Sequence, residues 1–140
     1  MIILDTNVVS EPLRNFPDTR VENGIALQPV EAIFVTAITI AEMLAGIAVM
    51  PDGRRKELMA SRTETVLTRL FGDRILVFNA VSARSYAKIF AKIRARGRAI
   101  SDFDCQIAAI AMSHGASIAT RDVRPFIDAG VEVINPWTEE

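Results

Sequence analysis

The chain has one cysteine, Cys105, and one histidine, His114, in 140 residues. A single thiol excludes an internal disulfide and a cysteine-cluster metal site, and it fits a reducing cytoplasm. A lone histidine leaves little basis for a histidine-centred reaction. His114 lies ten residues beyond Asp104 in one helical stretch, about 15 Å along the axis, so it suits a helix C-terminus better than a base beside that acid. Cys105 reads as core rather than nucleophile. Lysine is scarce as well, with three residues against thirteen arginines, and arginine serves both bidentate phosphate contacts and surface ion pairs. The net charge of -1 and pI of 5.9 argue against a broad coat of nucleic acid, so any polyanion must be held locally. A Gly-rich phosphate loop, an internal repeat, a linker and a low-complexity tract are all missing. Asp5 breaks the apolar opening after four residues with no basic stretch before it, so no secretory signal is expected. One apolar run, Ile33 to Met50, has eighteen residues and carries Glu42 in its middle. An acid at a bilayer centre costs about 2.5–3.5 kcal/mol, so no membrane is expected as a partner. Thr36 and Thr39 instead suggest a short strand, a turn and a buried helix.

What is present reads as one globular domain over residues 1–140, with 50% hydrophobic and 24% charged residues. Met1-Ile2-Ile3-Leu4 is an apolar run that ends in Asp5, Thr6 and Asn7. Such a run suits a strand buried on both faces of a parallel sheet, and ligands collect beyond the carboxyl ends of strands in open α/β sheets. Asp5 or Asn7 equally suits a plain helix cap.

Strands and helices then alternate. A short helix is expected over Val8 to Arg14, and a second from Pro17 towards Leu27. Ile33 to Thr36 is a strand, and Thr39-Ile40-Ala41-Glu42 matches a capping box that would open a helix running to Val49. After the Pro51-Asp52-Gly53 break comes an amphipathic helix from Arg54 to Phe71, closed by Gly72. Ile75 to Phe78 is a strand, and Ser82 to Gly97 a helix whose end carries Arg94, Arg96 and Arg98. That cluster suits the negative end of the helix dipole or a phosphate contact. Ser101 caps a helix closed by His114-Gly115. A strand over Ser117 to Thr120, a helix from Val123 to Ala129 and a strand over Val131 to Ile134 complete the chain. The order predicts an α/β fold with a parallel sheet and helices on both faces.

Four acids stand out from the seventeen. Asp5 and Asp122 follow strands, while Glu42 and Asp104 fall in the first turns of helices. The offsets of three, four and seven place Ala45, Gly46 and Val49 below Glu42, and Ile107, Ala108 and Ala111 below Asp104. Both acids therefore head stripes suited to close packing on a sheet. Asp102 heads the more mixed face of Cys105, Gln106 and Ala109 and ranks as an auxiliary residue. The dipole favours any acid in a first turn, and the capping box alone accounts for Glu42. Four acids at one edge, however, resist joint ionisation unless a cation compensates them. Oxygen ligands without His or Cys suit Mg²⁺ or Mn²⁺, and a metal-activated water is then the available nucleophile.

These residues resemble the PIN-domain ribonucleases, in particular VapC-type toxins of the FitB-like branch. The markers are Met1 to Pro12, Thr39-Ile40-Ala41-Glu42, Asp104-Cys105-Gln106-Ile107-Ala108-Ala109, Ala119-Thr120-Arg121-Asp122 and Asn135-Pro136-Trp137. The resemblance implies a PIN-like three-layer sandwich around a five-stranded parallel sheet. It also implies Asp5, Glu42, Asp104 and Asp122 as the metal-binding catalytic quartet, with Thr6, Asn7 and Thr120 in support. Asp102 is an acid that the family pattern does not place. The implied function is a Mg²⁺-dependent endoribonuclease toxin that acts on RNA as a homodimer and is blocked by a cognate VapB-like antitoxin, through which alone it would meet DNA. Two rivals differ in chemistry. A receiver- or phosphatase-like domain phosphorylated on Asp5 would need a lysine near a late strand end, and Lys56, Lys88 and Lys92 all fall in helices. A non-catalytic PIN-fold binding module would not need the acidic set.

Overall fold

A computed structural model describes residues 1–138. Five parallel strands, β1 (Ile2–Leu4), β2 (Ile33–Thr36), β3 (Ile75–Leu76), β4 (Ser117–Ala119) and β5 (Val133–Ile134), stand in the order β3-β2-β1-β4-β5. Seven α-helices connect and cover them: α1 (Thr6–Ser10), α2 (Thr19–Ala26), α3 (Ala37–Ala48), α4 (Arg54–Val66), α5 (Ala80–Ala95), α6 (Asp102–His114) and α7 (Val123–Ala129). β1 is central, with Ile3 beside Phe34 of β2 and Ile118 of β4.

Alternation along β1 creates the layers. Ile3 packs with Ile118, Ile89, Ile93, Ile107, Ile110 and Phe126 on the face covered by α5, α6 and α7. Leu4 points the other way and packs with Val8, Val21, Val35, Met43 and Phe71. Apolar side chains on both faces of a parallel sheet make the three-layer sandwich expected from the alternating elements.

Several boundaries differ from expectation. The first helix begins at Thr6, with Asp5 as its cap, and passes into a 3-10 turn over Glu11–Leu13. The second begins at Thr19 because Asp18, rather than Pro17, sets its start by accepting from the Arg20 N–H. The helix expected through Phe71 becomes π-helical over Leu67–Phe71 before Gly72, whose φ of 57° reverses the chain. β3 ends at Leu76 and β5 begins at Val133, shorter than expected.

The largest correction concerns α3. Its N-cap is Thr36, whose hydroxyl accepts from the Thr39 N–H at 3.1 Å, so no turn separates β2 from the helix. Thr39 is the third helical residue and Glu42 the sixth. The expected capping box does not exist, and capping does not explain Glu42. Its expected stripe fails too: Ala45 and Gly46 are exposed and Val49 is 83% exposed, because α3 packs through Thr39 and Met43 instead. The Asp104 stripe behaves as expected, with Ile107, Ala108 and Ala111 fully buried.

Ile3 contributes a side chain to the centre of the sheet with no solvent exposure. Ile3→Ala is expected to destabilise the protein by about 2–5 kcal/mol, measurable as a lowered midpoint of urea unfolding.

Candidate functional site

Three central strands deliver polar residues to one edge. Asp5 follows β1, Thr36 ends β2 and Thr120 follows β4. The chain leaves β1 towards β2 on one side and meets β4 on the other, the type of position where open α/β sheets bind ligands.

Asp5 is 5% exposed, so its carboxylate needs donors from the protein. The Thr6 N–H donates to Oδ1 at 2.8 Å, and the Thr120 hydroxyl donates to Oδ2 at 2.8 Å. Thr120 Oγ1 also accepts from Asn7 Nδ2 at 3.3 Å and from the Asp122 N–H at 3.1 Å. One proton and two lone pairs are thereby fully used. Asn7 Oδ1 accepts from the Arg121 N–H at 3.1 Å, which ties the β4–α7 connection to α1.

A second chain runs to Glu42. The hydroxyls of Thr36 and Thr39 are 3.3 Å apart, those of Thr39 and Thr6 3.5 Å, and Thr6 donates to Glu42 Oε1 at 3.1 Å. Each hydroxyl has one proton and only the carboxylate is a pure acceptor, so the bonds point towards Glu42. Thr36 and Thr39 were not among the residues expected at the site. In the sequence Thr39 carries only the capping signal it shares with Glu42, and Thr36 only the end of a strand.

Asp104 is half-buried in the first turn of α6, where its N–H donates to the Ser101 cap at 3.1 Å. Asp122 is exposed at the start of α7 and makes no side-chain cap bond. Asp102 stands apart: it is exposed and accepts from the Tyr86 hydroxyl at 3.2 Å.

Electrostatics join the four acids. Burial pushes the Asp5 carboxyl above its ordinary range against the pull of Thr120 and Thr6, and the charges of Asp104 and Asp122 push it further. Burial raises Glu42 as well, with Asp5 and Asp104 adding to it despite the Thr6 bond. Asp104 is raised by burial and by Asp122, against the Ser101 bond. Among the described residues no arginine or lysine forms an ion pair with any of the four. No three acidic, histidine or cysteine side chains among those residues are close enough to clasp an ion as they stand. The arrangement is an open set of hard oxygen donors with an uncompensated field. It fits a divalent cation that keeps part of its water shell, as Mg²⁺ does.

The other reactive groups lie outside this chemistry. Burial, with Asp102 and Asp104 nearby, pushes the Cys105 thiol up to about 11, so it is protonated at neutral pH. Lys56 binds the Ala48 carbonyl and Asp52, while Lys88 and Lys92 belong to α5.

The PIN domain matches residues 2–131. The chain belongs to the PIN-domain family. It is 45% identical over 137 residues to plasmid stability protein StbB of Pseudomonas syringae pv. tomato, covering 98% of this chain and 99% of that protein. It is 42% identical to VapC ribonuclease Y4jK of Sinorhizobium fredii, with 98% of each covered, and 41% identical to Toxin FitB of Neisseria gonorrhoeae, with 98% and 99% covered. The solved structure of FitAB bound to an IR36 DNA fragment contains a chain 41% identical to this one, with a TM-score of 0.93 and coverage of 100% and 98%. These likenesses extend over nearly the whole chain, so the PIN fold and the described sheet are one architecture.

The raised carboxyls give a pH prediction. A group whose pKa is higher in the fold than in the open chain favours folding below its ordinary value, 3.8 for Asp104, and that contribution is lost as pH rises through the folded value. Without divalent ions, Asp104→Asn is therefore expected to raise the melting temperature at pH 7.5 by a few degrees. The gain should shrink as pH falls below 3.8, where wild-type Asp104 is increasingly protonated in both states. Thermal unfolding at pH 7.5 and below pH 3.8 checks both expectations.

Proposed function

We propose that this chain is a divalent-metal-dependent endoribonuclease and the toxin of a toxin–antitoxin pair. The observation that carries the reading is the shared field of Asp5, Glu42, Asp104 and Asp122, four acids from four segments that form no ion pair among the described residues. Its support from relatives is the naming of Y4jK as a VapC ribonuclease and of FitB as a toxin. The four acids would hold Mg²⁺ or Mn²⁺, directly or through water. When bound, the ion supplies positive charge against a phosphodiester and lowers the pKa of a coordinated water, the nucleophile for hydrolysis.

The protein's own part is orientation. Thr120 and the Thr6 N–H fix both oxygens of Asp5, and Thr6 fixes one oxygen of Glu42. Asn7 and Thr120 hold the Arg121–Asp122 backbone, which sets where Asp122 projects. Asp104 and Asp122 make no ion pair among the described residues and stay available to a cation. Asp102, tied to Tyr86, has no place in this set.

Partners follow from α3. It carries one charge in twelve residues, yet Leu44 is 39% exposed and Val49, its C-cap, 83% exposed. An apolar helix face left open suits a protein surface. We assign the partners to a second copy of the chain and a VapB-like antitoxin, the latter supplying any contact with DNA. No helix among the described residues is long and apolar enough to cross a membrane; we assign the proposed activity on RNA to the cytoplasm.

Purified protein incubated with mixed RNA is expected to cleave it with Mg²⁺ or Mn²⁺ and to stop in EDTA. Asp5→Asn and Asp104→Asn should each reduce cleavage at least about 100-fold, with circular dichroism showing an intact fold. EDTA-resistant cleavage, or equal activity in either variant, overturns the metal mechanism.

A further inference from the structure

Two of the marker residues, Arg121 and Trp137, take no part in the acidic set. Arg121 stands between Thr120 and Asp122, and Trp137, the one tryptophan of the chain, follows Asn135 and Pro136. The fold brings the two side chains together. The Arg121 guanidinium lies over the Trp137 ring, 5.1 Å from its centre, within the reach of a cation–π attraction.

Both partners are anchored from behind. Trp137 is 5% exposed and belongs to the core of Leu4, Val8 and Val21. Its N–H donates to Asn135 Oδ1 at 3.0 Å and the Thr138 N–H donates to the Asn135 carbonyl at 3.1 Å, a turn that fixes where the ring stands. The Arg121 N–H donates to Asn7 Oδ1 at 3.1 Å. On either side of it, Thr120 Oγ1 accepts from the Asp122 N–H and donates to Asp5. The backbone of Arg121 is thus built into the acidic edge, while its guanidinium is seated on an aromatic face.

That guanidinium has no anionic partner of its own. Arg121 is exposed and forms no ion pair among the described residues. Its charge reaches Asp18, but Arg20 already holds both oxygens of that carboxylate, at 3.1 and 2.7 Å. A guanidinium paired with one of the four acids would cancel part of their field. Seated on the ring, it keeps a planar fork of N–H donors for another anion, and that fork matches two oxygens of a phosphate. We propose that Arg121 binds the backbone phosphate next to the scissile one, and that Trp137 is a positioning residue that seats the guanidinium for this contact. The proposal rests on the ribonuclease reading and adds to it the residue that sets the register of the RNA backbone against the acids. A phosphate contact selects no base, so it supplies affinity rather than sequence preference.

The test is initial-rate cleavage of total cellular RNA with Mg²⁺, over a range of RNA and salt concentrations, by wild-type protein, Arg121→Gln, Arg121→Lys, Trp137→Leu and Arg62→Gln. Arg62 is exposed on α4 without an ion pair among the described residues, so its variant controls for the loss of one charge. The expected result for Arg121→Gln is an apparent KM raised about tenfold, kcat within about twofold, and a log–log salt dependence of KM shallower by roughly one. Arg121→Lys, which keeps the charge without the fork, should retain the wild-type salt dependence with KM in between. Trp137→Leu should raise KM at an unchanged salt dependence; melting temperatures show which variants are folded, and the Arg121 variants decide the proposal if Trp137→Leu is not. Wild-type cleavage with KM unchanged in Arg121→Gln, or raised equally in Arg62→Gln, overturns the phosphate contact and leaves the nuclease standing. A raised KM with the salt dependence unchanged in Arg121→Gln makes Arg121 a cover for the ring and overturns it too. So does a fall in kcat alone, which assigns Arg121 to the acids. Wild-type protein that cleaves no RNA overturns the nuclease reading itself.

Discussion

The buried carboxylate of Asp5 is the constraint on which the site depends. A charge that has lost its water must find donors, and here both come from parts of the chain that the sheet brings together. The Thr6 N–H is supplied by the turn from β1 into α1, and the Thr120 hydroxyl by the residue after β4. Parallel pairing of β1 and β4 places these residues side by side. Since Thr120 Oγ1 also accepts from Asn7 and Asp122, the same hydroxyl aligns the next acid. One hydrogen-bond junction thus ties β1, α1 and the β4–α7 connection together at Asp5.

Asp104 and Glu42 show what the residues alone could and could not reveal. The Asp104 helix was legible because cap, stripe and closing glycine agree: Ser101 caps it, Ile107, Ala108 and Ala111 are buried, and Gly115 ends it in a left-handed conformation. Around Glu42 the signals conflict. Thr36 and Thr39 are both competent caps, and only pairing of β2 through Thr36 with Leu76 decides which begins the helix. A cap at Thr39 would start the helix three residues late and give Glu42 a capping role that it does not have. Its tether to Thr6, thirty-six residues away, depends on tertiary contact and leaves no trace in local spacing. The five-stranded sheet was visible for a simpler reason, since each strand is a short apolar run bounded by polar residues or glycine.

The threonines also explain how the acids can gather without a cationic side chain among them. Hydroxyls carry no charge, so Thr6 and Thr120 orient Asp5 and Glu42 without neutralising them. An arginine in either place would pair with the carboxylate and cancel its field. The cost remains in the protein as raised carboxyl pKa values, and binding of a cation would relieve it. For any cation bound there, stability without it and affinity for it would be opposed at these positions.

The nearly balanced net charge conceals a separation that bears on the same chemistry. Four acids collect where the central strands end, while residues 74–101 carry basic side chains alone. A polyanion is repelled by the first region and attracted by the second. A cation between the acids would reverse that repulsion locally, over a distance limited by the Debye length of roughly 8 Å at physiological salt.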